Sequence, residues 1–135
     1  VYKSQVSLIG LMNTADRSLA LLDYALRRRF AFFTLSPGFS SAGFTRYREA
    51  VGSAAFDNLV SCVGRLNTEI ASDESLGEGF MIGHSYFCGF TGAPTDHASL
   101  SAIVEYELIP MLGEYWFDDQ EKVRLWSEAL RRSIQ

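Results

Sequence analysis

The hydrophobic period of this chain changes once, at Ser36-Pro37-Gly38, and that change bounds what the chain can fold into. Upstream, Val6-Ser7-Leu8-Ile9-Gly10-Leu11-Met12 has the near-continuous apolarity of a strand buried on both faces of a parallel sheet. Phe30-Ala31-Phe32-Phe33-Thr34-Leu35 has the same character. Between them Leu19, Leu22, Leu26 and Phe30 recur at helical spacing, with Asp23 placed to cap a shorter helix. The order is strand, polar loop, helix, strand, and two strands do not complete an α/β sheet. The chain also starts without methionine, so it reads as a fragment of something longer.

Downstream the period is helical. Phe44, Tyr47 and Val51 predict a helix ended by Gly52, and Phe56, Leu59, Val60, Val63, Leu66 and Ile70 form the clearest amphipathic stripe. Ser72 to Gly79 reads as a loop, followed by a strand-like Phe80-Met81-Ile82 entering a helix at Gly83-His84-Ser85-Tyr86-Phe87. Another stripe runs through Leu100, Ile103, Val104, Leu108, Leu112 and Tyr115, and Pro110 should kink or split it near Glu107. Asp118 with Glu121 predicts the cap of a last helix. The expectation is mainly α: residues 1–36 hold an incomplete α/β piece of two strands and a helix, and residues 37–135 hold about four packed helices.

With 47% apolar residues in 135, a real core is available. The net charge of −4, with no like-charge run beyond Arg27-Arg28-Arg29, is not the field of a nucleic-acid-binding domain. No basic segment precedes a long apolar stretch at the start and nowhere do about 18 apolar residues run together, so neither a signal peptide nor a membrane span is expected. Cys62 and Cys88 lack paired spacing, which suits reduced thiols and a cytoplasmic setting. The cysteines, His84 and His97 do not fall at metal-ligand spacing, so no metal site is expected.

Two segments carry candidate chemistry. Asn13, in Met12-Asn13-Thr14-Ala15-Asp16-Arg17-Ser18, follows the end of a buried strand, where open α/β sheets place ligand-contacting groups. Its amide can donate to a phosphate oxygen while accepting from an attacking water. Asn13 and Asp16 could equally be turn formers and caps. The second segment, Asp23 to Phe30, ends a helix in three guanidiniums. One or two arginines there would suit the helix dipole, whereas a third invites the role of a permanent charge aimed at a transferring phosphoryl group. In the second part, His84 and Ser85 enter a helix from a glycine, where backbone could face phosphate or ribose; His84 and Tyr86 could as well tie helices together. Tyr115, Trp116 and Phe117 read as core, being in register with Leu108 and Leu112.

Taken together, the run from Leu11 to Leu35, the segment Gly79 to Cys88, and Glu107 to Leu112 with Glu114 to Asp119 resemble AAA+ proteins, and in their wording the McrB family. That family provides the GTP-hydrolysing subunit of modified-cytosine-dependent restriction systems. The resemblance covers about Leu8 to Trp126. It implies that residues 1–36 are the C-terminal part of an AAA+ large domain and residues 37–135 its helical lid. It further implies that Asn13 is the first sensor, that Asp16 and Arg17 belong to the signature at the subunit junction, and that Arg28 or Arg29 is an arginine finger. Met81 and His84 stand where many AAA+ lids carry a second-sensor arginine. Implied partners are identical subunits in a hexameric ring, a McrC-like nuclease, and DNA bound through other domains. The implied cofactors are GTP, or ATP in another AAA+ branch, with Mg2+ in the parent protein. The chain itself has no phosphate-binding loop, since Lys3 and Lys122 are its only lysines and neither follows the glycines such a loop requires. Alone it is expected to hold no nucleotide and to be inactive. A different class, a non-catalytic helical interaction module with the arginines as an acidic-partner patch, uses the same residues.

Overall fold

The structure, a computed structural model, describes residues 7–12, 28–93 and 96–135. The chain divides into two compact units, Val1–Thr34 and Leu35–Gln135. In the first, the described residues 7–12 and 28–34 form no regular element apart from a turn at Arg28-Arg29. The two expected strands are thus not formed among the described residues. Leu8, Ile9, Leu11 and Phe33 are instead 78–91% exposed. The physical reason is that a strand is stabilised by the ladder it shares with neighbours, and no strand partner exists among the described residues.

The second unit is helical. A 3-10 turn at Gly38–Ser40 leads into α1 (Ala42–Val51), which is capped by the Ser41 hydroxyl accepting from the Phe44 N–H and ends at Gly52 in the left-handed region, φ 59°. Helix α2 (Ala54–Ser72) starts at Ser53, whose side chain accepts from the Phe56 N–H. Its stripe Phe56, Leu59, Val63, Leu66 and Ile70 is at most 1% exposed and forms the middle of the core. Each such side chain contributes roughly 1.5–3 kcal/mol of burial.

An irregular segment with two 3-10 turns, Glu78–Phe80 and His84–Phe87, follows. No strand forms over Phe80 to Ile82, because the partners of this segment are side chains and not another extended backbone. Helices α3 (Asp96–Ile103) and α4 (Ile109–Tyr115) are joined by a π-helical turn, Val104–Leu108, into one rod. Pro110 lacks an N–H and its ring would crowd the carbonyl four residues back, so the wider turn sits where that strain falls. Helix α5 (Gln120–Ser133) is capped by Asp119, which accepts from the Lys122 N–H at 3.0 Å; Asp118, expected in that role, is exposed one residue too early. Helix α5 packs along α2 and against α4. Counting the π-linked pair as one rod, four helical rods surround the core, as the periodicity predicts. Cys62 is buried and Cys88 exposed, both as free thiols. Of the aromatic trio, Trp116 is buried and Tyr115 half-buried, while Phe117 is 74% exposed because it lies past the end of α4.

Candidate functional site

The segment from Glu78 to Phe90 has little regular structure, yet four side chains from outside or within it lock its backbone. Asn67, buried in the apolar stripe of α2, donates from Nδ2 to the Ile82 carbonyl (2.9 Å) and accepts on Oδ1 from the Ile82 N–H (2.7 Å). The side-chain amide thereby replaces the partner strand that Ile82 lacks. The Tyr47 hydroxyl on α1 does the same for Phe90, donating to its carbonyl (2.9 Å) and accepting from its N–H (2.6 Å). Tyr115 donates to the Phe80 carbonyl (3.1 Å), and burial pushes its own phenol pKa up. The fourth pin is His84, whose Nδ1 accepts from the Gly38 N–H at 3.0 Å. A Cβ on residue 38 would lie 3.0 Å from the ring's Cε1, so glycine is what lets the imidazole approach.

These bonds turn an irregular loop into a rigid platform, since buried backbone groups that are paired cannot be exchanged for water without loss. The His84 ring stands edge-on to Phe39 and Phe44, with centroids at 6.2 and 5.8 Å. With Nδ1 occupied as an acceptor, a neutral ring carries its proton on Nε2. Among the described residues no buried side-chain nitrogen or oxygen lacks a partner, so Nε2, which has none there, meets solvent. Ser85 and Tyr86 beside it are exposed. The platform thus offers a fixed N–H donor and a hydroxyl to whatever lies over it. Phe39 also lines an open, mostly apolar groove of about 540 Å3, together with Ser36, Pro37, Gly64, Thr68 and Met81.

Of the residues singled out from sequence, His84 and Ser85 lie together on this platform. Of the two residues read as able to tie helices together, His84 bonds the Gly38 turn that precedes α1, while Tyr86 is exposed. Arg28 and Arg29 form an exposed turn in the first unit. Asn13, Asp16 and Arg17 lie outside the described residues. Among the described residues no group of three or more His, Cys, Asp or Glu is placed to hold a metal ion, and no helix is long and apolar enough to cross a membrane. In the sequence Tyr47 and Tyr115 read only as parts of helical stripes, and Asn67 is not among the candidate residues. Only Asn67 carried a signal: a lone amide in register with Val60, Val63 and Ile70 on a face that is otherwise apolar.

Lys122, one of the two lysines, is fully engaged elsewhere. Its ammonium pairs with Glu69 (2.7 Å) and Asp73 (3.2 Å) and sits 4.4 Å from the Trp116 ring centroid. It therefore belongs to the packing of α2 on α5 and not to a phosphate site.

Residues 58–124 match the family model described as McrB, alpha-helical lid domain. That span runs from α2 through the platform and the π-linked rod into α5. A curated relative, the Type IV methyl-directed restriction enzyme EcoKMcrB subunit of Escherichia coli (strain K12), is 45% identical over 130 residues, covering 93% of this chain. The chain spans 28% of that relative's length.

Proposed function

We propose, from the premise that this chain belongs to the McrB family and carries its α-helical lid at residues 58–124, that it is the lid and the preceding segment of a nucleoside triphosphate-hydrolysing subunit in a McrBC-like restriction system. The observation that carries this reading is the reach of the likeness: at 93% of the chain, it extends beyond the lid into the segment bearing the arginines. GTP is the proposed nucleotide, with Mg2+, both held chiefly by parts of the protein outside this sequence. Identical subunits, six to a ring, and a McrC-like nuclease are the proposed partners, and the proposed setting is the cytoplasm.

Within the proposed cycle, Asn13 at the end of the upstream segment orients the attacking water through its uncharged amide. Asp16 and Arg17 hold the junction between subunits. Arg28 or Arg29 projects from its exposed turn to the polyphosphate of the next subunit, where a permanent planar cation offsets the charge that develops in phosphoryl transfer. The Nε2–H of His84 and the Ser85 hydroxyl face nucleotide phosphate or ribose from the lid side. The rigidity of the platform supports this role, because a donor that is already oriented loses little freedom on binding. The 135 residues alone are proposed to be inactive.

The test is turnover of GTP and of ATP by the longer protein carrying Arg28→Ala or Arg29→Ala, with nucleotide affinity measured alongside. The finger variant is expected to lose on the order of a thousandfold in kcat while still binding nucleotide. Full turnover in both variants, with loss of a protein partner instead, would support the interaction-module reading.

A further inference from the structure

The two units of the chain have opposite charge. Residues 1–34 carry five basic and two acidic side chains, whereas residues 35–135 carry seven basic and fourteen acidic ones. Six of the fourteen acids of the lid are ion-paired among the described residues. Asp57 pairs with Arg48, Glu69 and Asp73 with Lys122, Glu105 with Arg131, and Glu121 and Glu128 with Arg124.

Of the other acids, Glu107, Glu114 and Asp118 lie close together in sequence on and just past one rod. Along the rod formed by the π-turn and α4, Glu107, Pro110 and Glu114 recur at spacings of three and four, and Phe117 and Asp118 follow in sequence just past its end. All five are exposed. Glu107, Glu114 and Asp118 make no ion pair among the described residues. Tyr106 and Phe117 beside them are 81% and 74% exposed. Exposed aromatics next to unpaired charges of one sign suit a partner of the opposite charge.

The chain supplies a counterpart of matching chemistry. Arg27-Arg28-Arg29 is its longest run of like charge, and Arg28 and Arg29 are exposed in a turn. A finger uses one guanidinium, which leaves others available to an anionic neighbour. We propose that the edge from Tyr106 to Asp118 docks the arginine turn of a second copy of this chain, Glu107, Glu114 and Asp118 receiving the guanidiniums and Tyr106 and Phe117 offering ring faces to them. Guanidinium both forks onto carboxylates and stacks on aromatic rings, so this mix of acid and aromatic suits arginine better than lysine. The inference rests on the proposed subunit seam, to which it adds the surface that receives the arginines.

A charge swap tests it by sedimentation velocity on the full chain at low and high salt. Wild type is expected to associate with rising concentration and to dissociate with salt. E107K/E114K/D118K and R28E/R29E should each associate at least about tenfold more weakly, and an equimolar mixture of the two should regain association, because each supplies the complement of the other. A wild-type chain that stays monomeric, association indifferent to the reversals, or a mixture that fails to recover each overturns the proposal, as does oligolysine binding to this edge without self-association. None of these outcomes touches the finger role, which is read from turnover; conversely, loss of turnover in Arg28→Ala with the swap failing would leave the finger and remove the docking edge.

Discussion

At the scale of single residues, the lid depends on a few polar side chains that finish backbone hydrogen bonds no regular element supplies. Asn67 is the strongest case, because it satisfies both the N–H and the carbonyl of Ile82 inside a face that is otherwise apolar. Asn67→Leu has a suitable shape for the stripe but strands both groups, each costing about 1–3 kcal/mol when buried unpaired. The variant is expected to lose about 2–4 kcal/mol in urea unfolding, with the larger local effect in amide exchange at Ile82. Stability within about 0.5 kcal/mol of wild type would mean that water replaces the amide and that the platform is looser than these bonds imply.

At the scale of elements, the join between the end of α2 and the start of α5 is electrostatic. Asp73 accepts from the Ser75 hydroxyl and N–H, from Trp116 Nε1 at 2.8 Å and from Lys122 Nζ at 3.2 Å. These bonds, with those from Ser75 the largest cause, hold its carboxyl well below the usual carboxylate range. The folded group titrates below the unfolded one, so its contribution to stability is complete above the ordinary carboxylate pKa and is lost as pH falls through the folded value. Wild type should therefore lose stability between about pH 5 and pH 2 more steeply than Asp73→Asn, which should already be weaker at neutral pH. Urea midpoints across that range measure it, and parallel slopes for the two proteins would remove Asp73 as the source.

The elements also divide by how legible they were. Helices α1 and α2 could be read from Phe44, Tyr47, Val51 and Gly52 and from the stripe Phe56 to Ile70, because their signals are local and periodic. The disturbance near Glu107 followed from Pro110. The platform could not be read, since its shape is set by contacts such as Asn67 to Ile82 and Tyr47 to Phe90, 15 and 43 residues apart. Asp118 and Asp119 offer the same capping chemistry, and only the path of the chain after Trp116 decides between them. The segments around Leu8 and Phe32 read as strands from composition, but pairing is not a property of a segment by itself.

At the scale of the whole molecule, the lid is a self-contained helical body with its own core, and the segment before it carries the charged groups proposed to do chemistry. Such a division suits the proposed subunit, whose site would be completed by its neighbour, with His84 and Ser85 as the groups proposed to face the nucleotide from the lid. The most direct measurement mixes two forms of the longer protein, one carrying R28A/R29A and one unable to bind nucleotide through its own phosphate loop. Each alone should be nearly inactive. If a guanidinium from one subunit serves the nucleotide of the next, mixed assemblies regain GTP turnover, because the second form lends its arginines to the nucleotide held by the first. Stable mixed assemblies with no recovered turnover would contradict the trans-acting role.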